Sequence, residues 1–227
     1  MVTGLRRAAL PLAVVLLAGG LYWRYARAGD GVPLPSPTAD SAPAAGKPGL
    51  KTVVFAGGCF WGVQAVFQHV KGVADATSGY AGGAASTAKY DLVSTGDTGH
   101  AESVKVTFDP AQISYGQLLR VFFSVAHDPT ELNRQGPDDG TQYRSVVFFT
   151  GADQKRIADS YVQQLEQAKV FHNPIVTQIV PLKAFYPAEG THQNYARLHP
   201  DNPYIVMNDA PKVAHLKTLF PKIYKEP

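Results

Sequence analysis

Between residues 52 and 70 the chain changes its hydrophobic period across a single turn. Thr52, Val53, Val54 and Phe55 form a short β-branched and aromatic run that ends in Ala56-Gly57-Gly58, and Val63, Val66, Phe67 and Val70 then recur at helical spacing. A strand that passes through glycines straight into an amphipathic helix has to pack that helix on its own sheet, which commits the chain to a mixed, layered α/β structure. Cys59 sits at this turn, in Gly57-Gly58-Cys59-Phe60-Trp61-Gly62, and it is the only cysteine in 227 residues. One thiol excludes an intrachain disulfide and a multi-cysteine metal site, so its chemistry is nucleophilic, or redox with an outside partner.

The same reading extends along the chain. Residues 103–108 alternate as a strand, 115–126 read as a buried helix and 143–149 as a strand. An amphipathic helix over 152–169, a strand over 176–185 and a terminal helix over 213–223 follow. Without internal repeats, residues 51–227 make one α+β domain, a two-layer α/β sandwich. With 45% hydrophobic and 17% charged residues the chain can bury a core. A net charge of +3, with no basic run interleaved with aromatics beyond the N-terminus, argues against nucleic acid as a partner.

The first fifty residues are of another kind. Arg6-Arg7 precede an apolar stretch, 8–23, without charge, and Ala26-Arg27-Ala28 offers a small-x-small cleavage pattern. The stretch is short against the roughly 20 residues of a bilayer span, and Arg24 and Arg27 disfavour cleavage. Residues 1–28 therefore read as a signal peptide or a signal anchor, with a possible membrane tether at 8–23. The domain is then extracytoplasmic, in a periplasm, either membrane-anchored or secreted. Residues 29–50, rich in Pro, Ala, Gly and Ser, read as a flexible linker.

Three further stretches carry candidate chemistry. At a helix N-terminus the Cys59 thiol is expected to ionise more readily than an ordinary cysteine. The flanking glycines let backbone approach a ligand, and Phe60 and Trp61 can wall an apolar pocket, although such residues also serve as core. In Thr98-Gly99-His100-Ala101-Glu102, strand phase puts Glu102 on the face of Val104, Val106 and Phe108. Desolvation there would keep its carboxyl protonated and able to act as an acid; a frayed strand end would leave it in solvent. The loop 127–145 contains His127-Asp128-Pro129-Thr130 and Gly136-Pro137-Asp138-Asp139-Gly140, and Tyr143 shares the strand phase of Val147 and Phe149, so its hydroxyl would point inward and need a partner. Tyr80 lies among glycines in Ser78-Gly79-Tyr80-Ala81-Gly82-Gly83.

Taken in order, GGCFWG, SGYAGG, TGHAE, HDPT and GTQYRS resemble the motifs of the A-type peptide methionine sulfoxide reductases, over residues 53–204. The resemblance implies a ferredoxin-like sandwich and reduction of the S epimer of methionine sulfoxide, free or in oxidised proteins, as damage repair, with neither metal nor organic cofactor. It implies Cys59 as nucleophile and Glu102 as the acid that protonates the sulfoxide oxygen. Tyr80 and Tyr143 would hydrogen-bond that oxygen and Asp138 would orient a water. Phe60, Trp61, Gly58 and His100 would contact the substrate. Many relatives carry further cysteines near the C-terminus, whereas here Ile205 stands where one is expected, and Gly190-Thr191 replaces an acidic-aromatic pair. The sulfenic acid left on Cys59 would then need an external thiol, thioredoxin-like, glutaredoxin-like or small. The domain is expected to act as a monomer. Two other classes stay open: a cysteine hydrolase with His100, His127 or His192 as base, and a module that binds methionine sulfoxide without turnover.

Overall fold

A computed structural model describes residues 31–41 and 49–227. Strand β1 (Lys51–Ala56) leads into helix α1 (Phe60–Gln68), and β2 (Val73–Ala81), the short helix α2 (Tyr90–Val93) and β3 (Ala101–Phe108) follow. Helix α3 (Tyr115–Val121) continues as a buried π-helical turn, Phe122–Ala126. A two-stranded ribbon, β4 (Arg134–Gln135) and β5 (Asp138–Asp139), precedes β6 (Val146–Phe149) and the long helix α4 (Ala152–Ala168). The chain ends in β7 (Gln178–Pro181), β8 (Phe185–Pro187), the short α5 (Tyr195–Leu198), a second π-helical turn (Ile205–Asp209) and α6 (Ala210–Leu219).

Six strands form one sheet in the order β7-β6-β1-β3-β2-β8, antiparallel except for the β6–β7 pair. Residues 143–149 and 176–185 depart from the strands expected of them. The first becomes a 3-10 turn, Thr141–Tyr143, before β6 starts at Val146. The second divides into β7 and β8, which lie on opposite edges of the sheet. Four peptide steps from Pro181 to Phe185 reach at most about 15 Å, whereas six flat strands would spread over about 24 Å. The sheet is therefore curled until its edges approach each other. Small side chains permit the curl, for the concave face is lined by Ala56, Ala81 and Ala101 with Val54, Val146 and Phe148. On the convex face Phe55, Val104 and Val106 pack against α1, α3 and α4, and Phe55 stacks between Phe67 and Phe122 at 5.2 and 4.7 Å.

The expected signal segment lies outside the described residues, as does 42–48; among the described residues no helix is long and apolar enough to cross a membrane. Residues 31–41 differ from a free linker. They run extended over α3 and α4, and the alternation in Val32-Pro33-Leu34-Pro35 turns Val32 and Leu34 into the core at 6% and 2% exposure while both prolines face out. The strap is also stitched by hydrogen bonds: Val32 N–H to the Ser124 carbonyl, Arg120 Nε–H to that of Leu34 and the Tyr161 hydroxyl to that of Pro35. Asp40 accepts from the Gly116 N–H at 2.8 Å and from the Ser114 hydroxyl, next to the capping box that Ser114 makes with Gln117. Leu34→Ala should lower the unfolding free energy by about 2 kcal/mol or more, with an unchanged denaturant slope in equilibrium urea unfolding. A free linker would show no change.

Candidate active site

Cys59 is the N-cap of α1, and its own side chain makes no capping hydrogen bond among the described residues. The turn that delivers it needs glycine: Gly58 has φ +86°, and a Cβ on it would stand 2.5 Å from Gln135 Cγ. Gly58 thus packs under the Gln135 side chain, and Gly57 packs against the His127 ring. The Trp61 backbone N–H favours the Cys59 thiolate, as a helix N-terminus should. Burial outweighs it. At 9% exposure, with the charges of Glu102 and Asp209 adding to the effect, the thiol is pushed well above its ordinary pKa. The resting site therefore holds a thiol near neutral pH, contrary to the easily ionised cysteine expected from helix position alone.

Glu102 has the strand phase read from the sequence. It is 2% exposed, on the face of Val104, Val106 and Phe108. Its carboxyl accepts the Phe60 backbone N–H at 3.0 Å, so β3 grips the first turn of α1. Burial raises its pKa to about 8 against the opposing pull of that hydrogen bond, and the carboxyl is protonated at neutral pH.

Around this pair the aromatic residues close in. Phe60 is 1% exposed and lies 5.9 Å from Tyr80 and 5.4 Å from His192, centroid to centroid. Trp61 stacks on Tyr195 at 3.8 Å and meets Tyr204 edge-on. Tyr80 faces Glu102 across the β2–β3 ladder, but its hydroxyl donates to Glu189 at 2.7 Å. Glu189 also accepts the Tyr90 N–H at 2.9 Å. Partial burial alone would raise the Glu189 pKa, but these bonds hold it below the ordinary carboxylate value. The Tyr143 hydroxyl has no partner among the described residues. It reaches the neighbourhood of Glu102, Asp138 and Cys59 from the 3-10 turn rather than from a strand, and burial raises its pKa, so it remains a donor. Asp138, on β5, accepts the Tyr204 hydroxyl, and burial raises its pKa despite that bond.

The structure thus brings Cys59, Glu102, Tyr80, Tyr143, Asp138, Phe60 and Trp61 to one place. His100 stands differently. Its ring is buried, with Nδ1 accepting the Gly83 N–H at 3.2 Å and Nε2 bonded to the Ala84 carbonyl at 2.9 Å, so it posts the 81–84 loop and has no nitrogen left for a substrate. His127 is likewise held by the Phe122 carbonyl and the Ser145 hydroxyl, and burial drives its pKa down to about 4. No histidine hydrogen-bonds the Cys59 thiol among the described residues, which removes the support for a Cys-His hydrolase. Glu189, Tyr90, Tyr195 and Tyr204 also belong to the site and escaped the sequence reading. Tyr204, beside the position expected for a further cysteine, and Glu189, beside the altered Gly190-Thr191 pair, were the available signals. No cluster of three or more His, Cys, Asp or Glu residues able to hold a metal occurs among the described residues.

Because the folded Glu102 pKa is raised from 4.5 to about 8, its stabilising contribution is complete below the unfolded pKa and is lost as pH rises through that window. Glu102→Gln should therefore gain stability relative to the parent between pH 5 and 8.5, by up to about 4 kcal/mol, in thermal or urea unfolding at a series of pH values. A parallel pH dependence in the two proteins would contradict the buried, protonated carboxyl.

Residues 51–223 match the family model described as peptide methionine sulfoxide reductase. A peptide methionine sulfoxide reductase MsrA 2 of Mesorhizobium japonicum is 62% identical over 79% of this chain and 92% of its own length. One from Synechocystis is 49% identical over 79% and 85%. Among solved structures, reduced Mxr1 from Saccharomyces cerevisiae superposes with a TM-score of 0.63 at 34% identity, covering 68% of this chain and 88% of that one. Methionine sulfoxide reductase A of Corynebacterium diphtheriae gives 0.59 at 35% identity over 75% and 87%. With a matched family model spanning the catalytic domain and a cysteine, a buried acid and hydroxyl donors assembled within it, this chain belongs to the peptide methionine sulfoxide reductase family.

Proposed function

We propose that this protein is a peptide-methionine (S)-S-oxide reductase of the A type that works with one cysteine. The observation that carries the reading is the buried Glu102 carboxyl bonded to the first turn of the helix that presents Cys59, where burial favours its protonated form. A sulfoxide sulfur resists a thiol until its oxygen is protonated, so nucleophile and acid must act together in a site that excludes water. Glu102 passes its proton to the sulfoxide oxygen as the Cys59 sulfur attacks the sulfoxide sulfur, and the proton lost by the thiol restores Glu102. The oxygen leaves with Cys59 as a sulfenic acid, and methionine departs. An external thiol then forms a mixed disulfide with release of water, and a second thiol frees Cys59 as the disulfide of the reductant.

Tyr143, with an unpartnered hydroxyl, is the immediate donor to the oxygen. Tyr80 can join only by leaving Glu189, since a phenol has a single proton to donate. Phe60 and Trp61 enclose the substrate methyl. The connectivity β1-α1-β2-β3-α3-β6, with β6-β1-β3-β2 as sheet order, supports a ferredoxin-like core extended by β7 and β8. The reductant is a dithiol protein of thioredoxin or glutaredoxin type, or a small thiol. The Arg6-Arg7 pair and the apolar run at 8–23 support a periplasmic setting, as a secreted or membrane-tethered protein.

Cys59→Ser should abolish turnover of the S epimer, and Glu102→Gln should lower kcat by about 10²- to 10⁴-fold with the fold intact by circular dichroism. Tyr143→Phe should cost more in kcat than Tyr80→Phe. Normal turnover by Cys59→Ser would overturn the mechanism.

A further inference from the structure

Ion pairs among the described residues are half-exposed or more on at least one side, with a single exception. Asp209 and Lys212 meet at 3.2 Å with side chains 0% and 10% exposed. Asp209 closes the π-helical turn, and Lys212 follows three residues later in the first turn of α6, where Pro211 replaces an unpaired N–H. Both side chains lie on Gly62. A Cβ there would stand 2.1 Å from Asp209 Oδ1 and 2.9 Å from Lys212 Nζ, so α1 is pared to backbone three residues after Cys59 to admit the pair. Asp209 Oδ2 is buried and has no hydrogen-bond partner among the described residues.

Such a pair is a poor device for stability alone, since desolvating two charges offsets most of their attraction and an apolar replacement would serve as well. Its position suggests an electrical role. Cys59 is faced by Glu102 from β3, by Asp209 and Lys212 from the C-terminal segment, and by the phenols of Tyr90, Tyr143 and Tyr204. The charge of Lys212 also reaches Asp138 on β5 and His127 beyond α3. His127 is neutral at neutral pH and the phenols hold their protons, while Glu102, neutral at neutral pH, becomes a carboxylate before Cys59 ionises, so in this set Lys212 is the cation set against Glu102 and two aspartates.

We propose that Asp209 and Lys212, packed on the helix turn that carries the thiol, are positioning residues that shift the pH range in which Cys59 ionises within the limit set by burial, the ammonium favouring the thiolate and the carboxylate opposing it. This rests on Cys59 as the nucleophile. Because the chain has one cysteine, the ultraviolet absorbance of its thiolate, taken as the difference from Cys59→Ser, reports this thiol without requiring turnover. In the full-length protein Asp209→Asn should move the thiol titration to lower pH and Lys212→Met to higher pH. Each should change the thiolate fraction at a fixed pH below the midpoint by about tenfold, with single-turnover pH profiles following. The double variant should return towards the parent.

Titrations that do not move, or that move the same way in both single variants, would reduce the pair to a clamp between α6 and α1 and overturn the proposal. If Lys212→Met does not fold, Asp209→Asn and the double variant, which bury no unpaired carboxylate, decide between these outcomes. Normal turnover by Cys59→Ser would instead sink the nucleophile itself, a separate failure.

Discussion

The hydrogen bond from the Phe60 backbone N–H to the Glu102 carboxyl joins the sheet to the helix that carries the thiol. A helix N-terminus presents unpaired donors, and most helices satisfy one with the N-cap side chain. Here the N-cap is Cys59, whose side chain makes no capping bond, and the Phe60 donor is met from below by a strand residue. Two opposing effects fix the charge of that residue. The bond and the helix dipole favour a carboxylate, while near-complete burial favours the acid, and burial wins. A carboxyl so placed is both a structural pin and a proton source.

With the acid and the thiol both protonated, the resting site carries little charge of its own, although Asp138 and Asp209 border it. This suits a sulfoxide, whose sulfur yields only when its oxygen takes a proton, and it restrains a lone thiol from reacting at large. The same single cysteine shapes the second half of the cycle. The C-terminal segment holds no cysteine, and with Tyr204 turned onto Asp138 it is used for hydrogen bonding and for the buried ion pair rather than for a disulfide.

Features governed by local periodicity were legible in the sequence. The strand-turn-helix unit at Cys59 and the phase of Glu102 on β3 both stand as read, because hydrophobic alternation and glycine placement determine them within a few residues. Features that depend on distant packing were not. Residues 176–185 look like one strand, yet the curl of the sheet, which depends on alanines far away in sequence, divides them between two edges. Tyr143 reached the site although the strand argument for it failed, since the 3-10 turn ends just ahead of β6. The strap carried its own signal, Val32 and Leu34 two residues apart, hidden in a Pro-rich stretch whose composition suggested a tether. Glu189 and Tyr204 act through partners more than sixty residues away, a pairing that no local pattern encodes.

The measurement that bears most directly on this account is a single turnover by the full-length protein with each epimer of a methionine sulfoxide peptide, without added reductant, followed by mass spectrometry of the protein. The account predicts about one methionine per enzyme from the S epimer alone, with one oxygen gained at Cys59. Methionine formed without any change at Cys59, or none from either epimer, would contradict it.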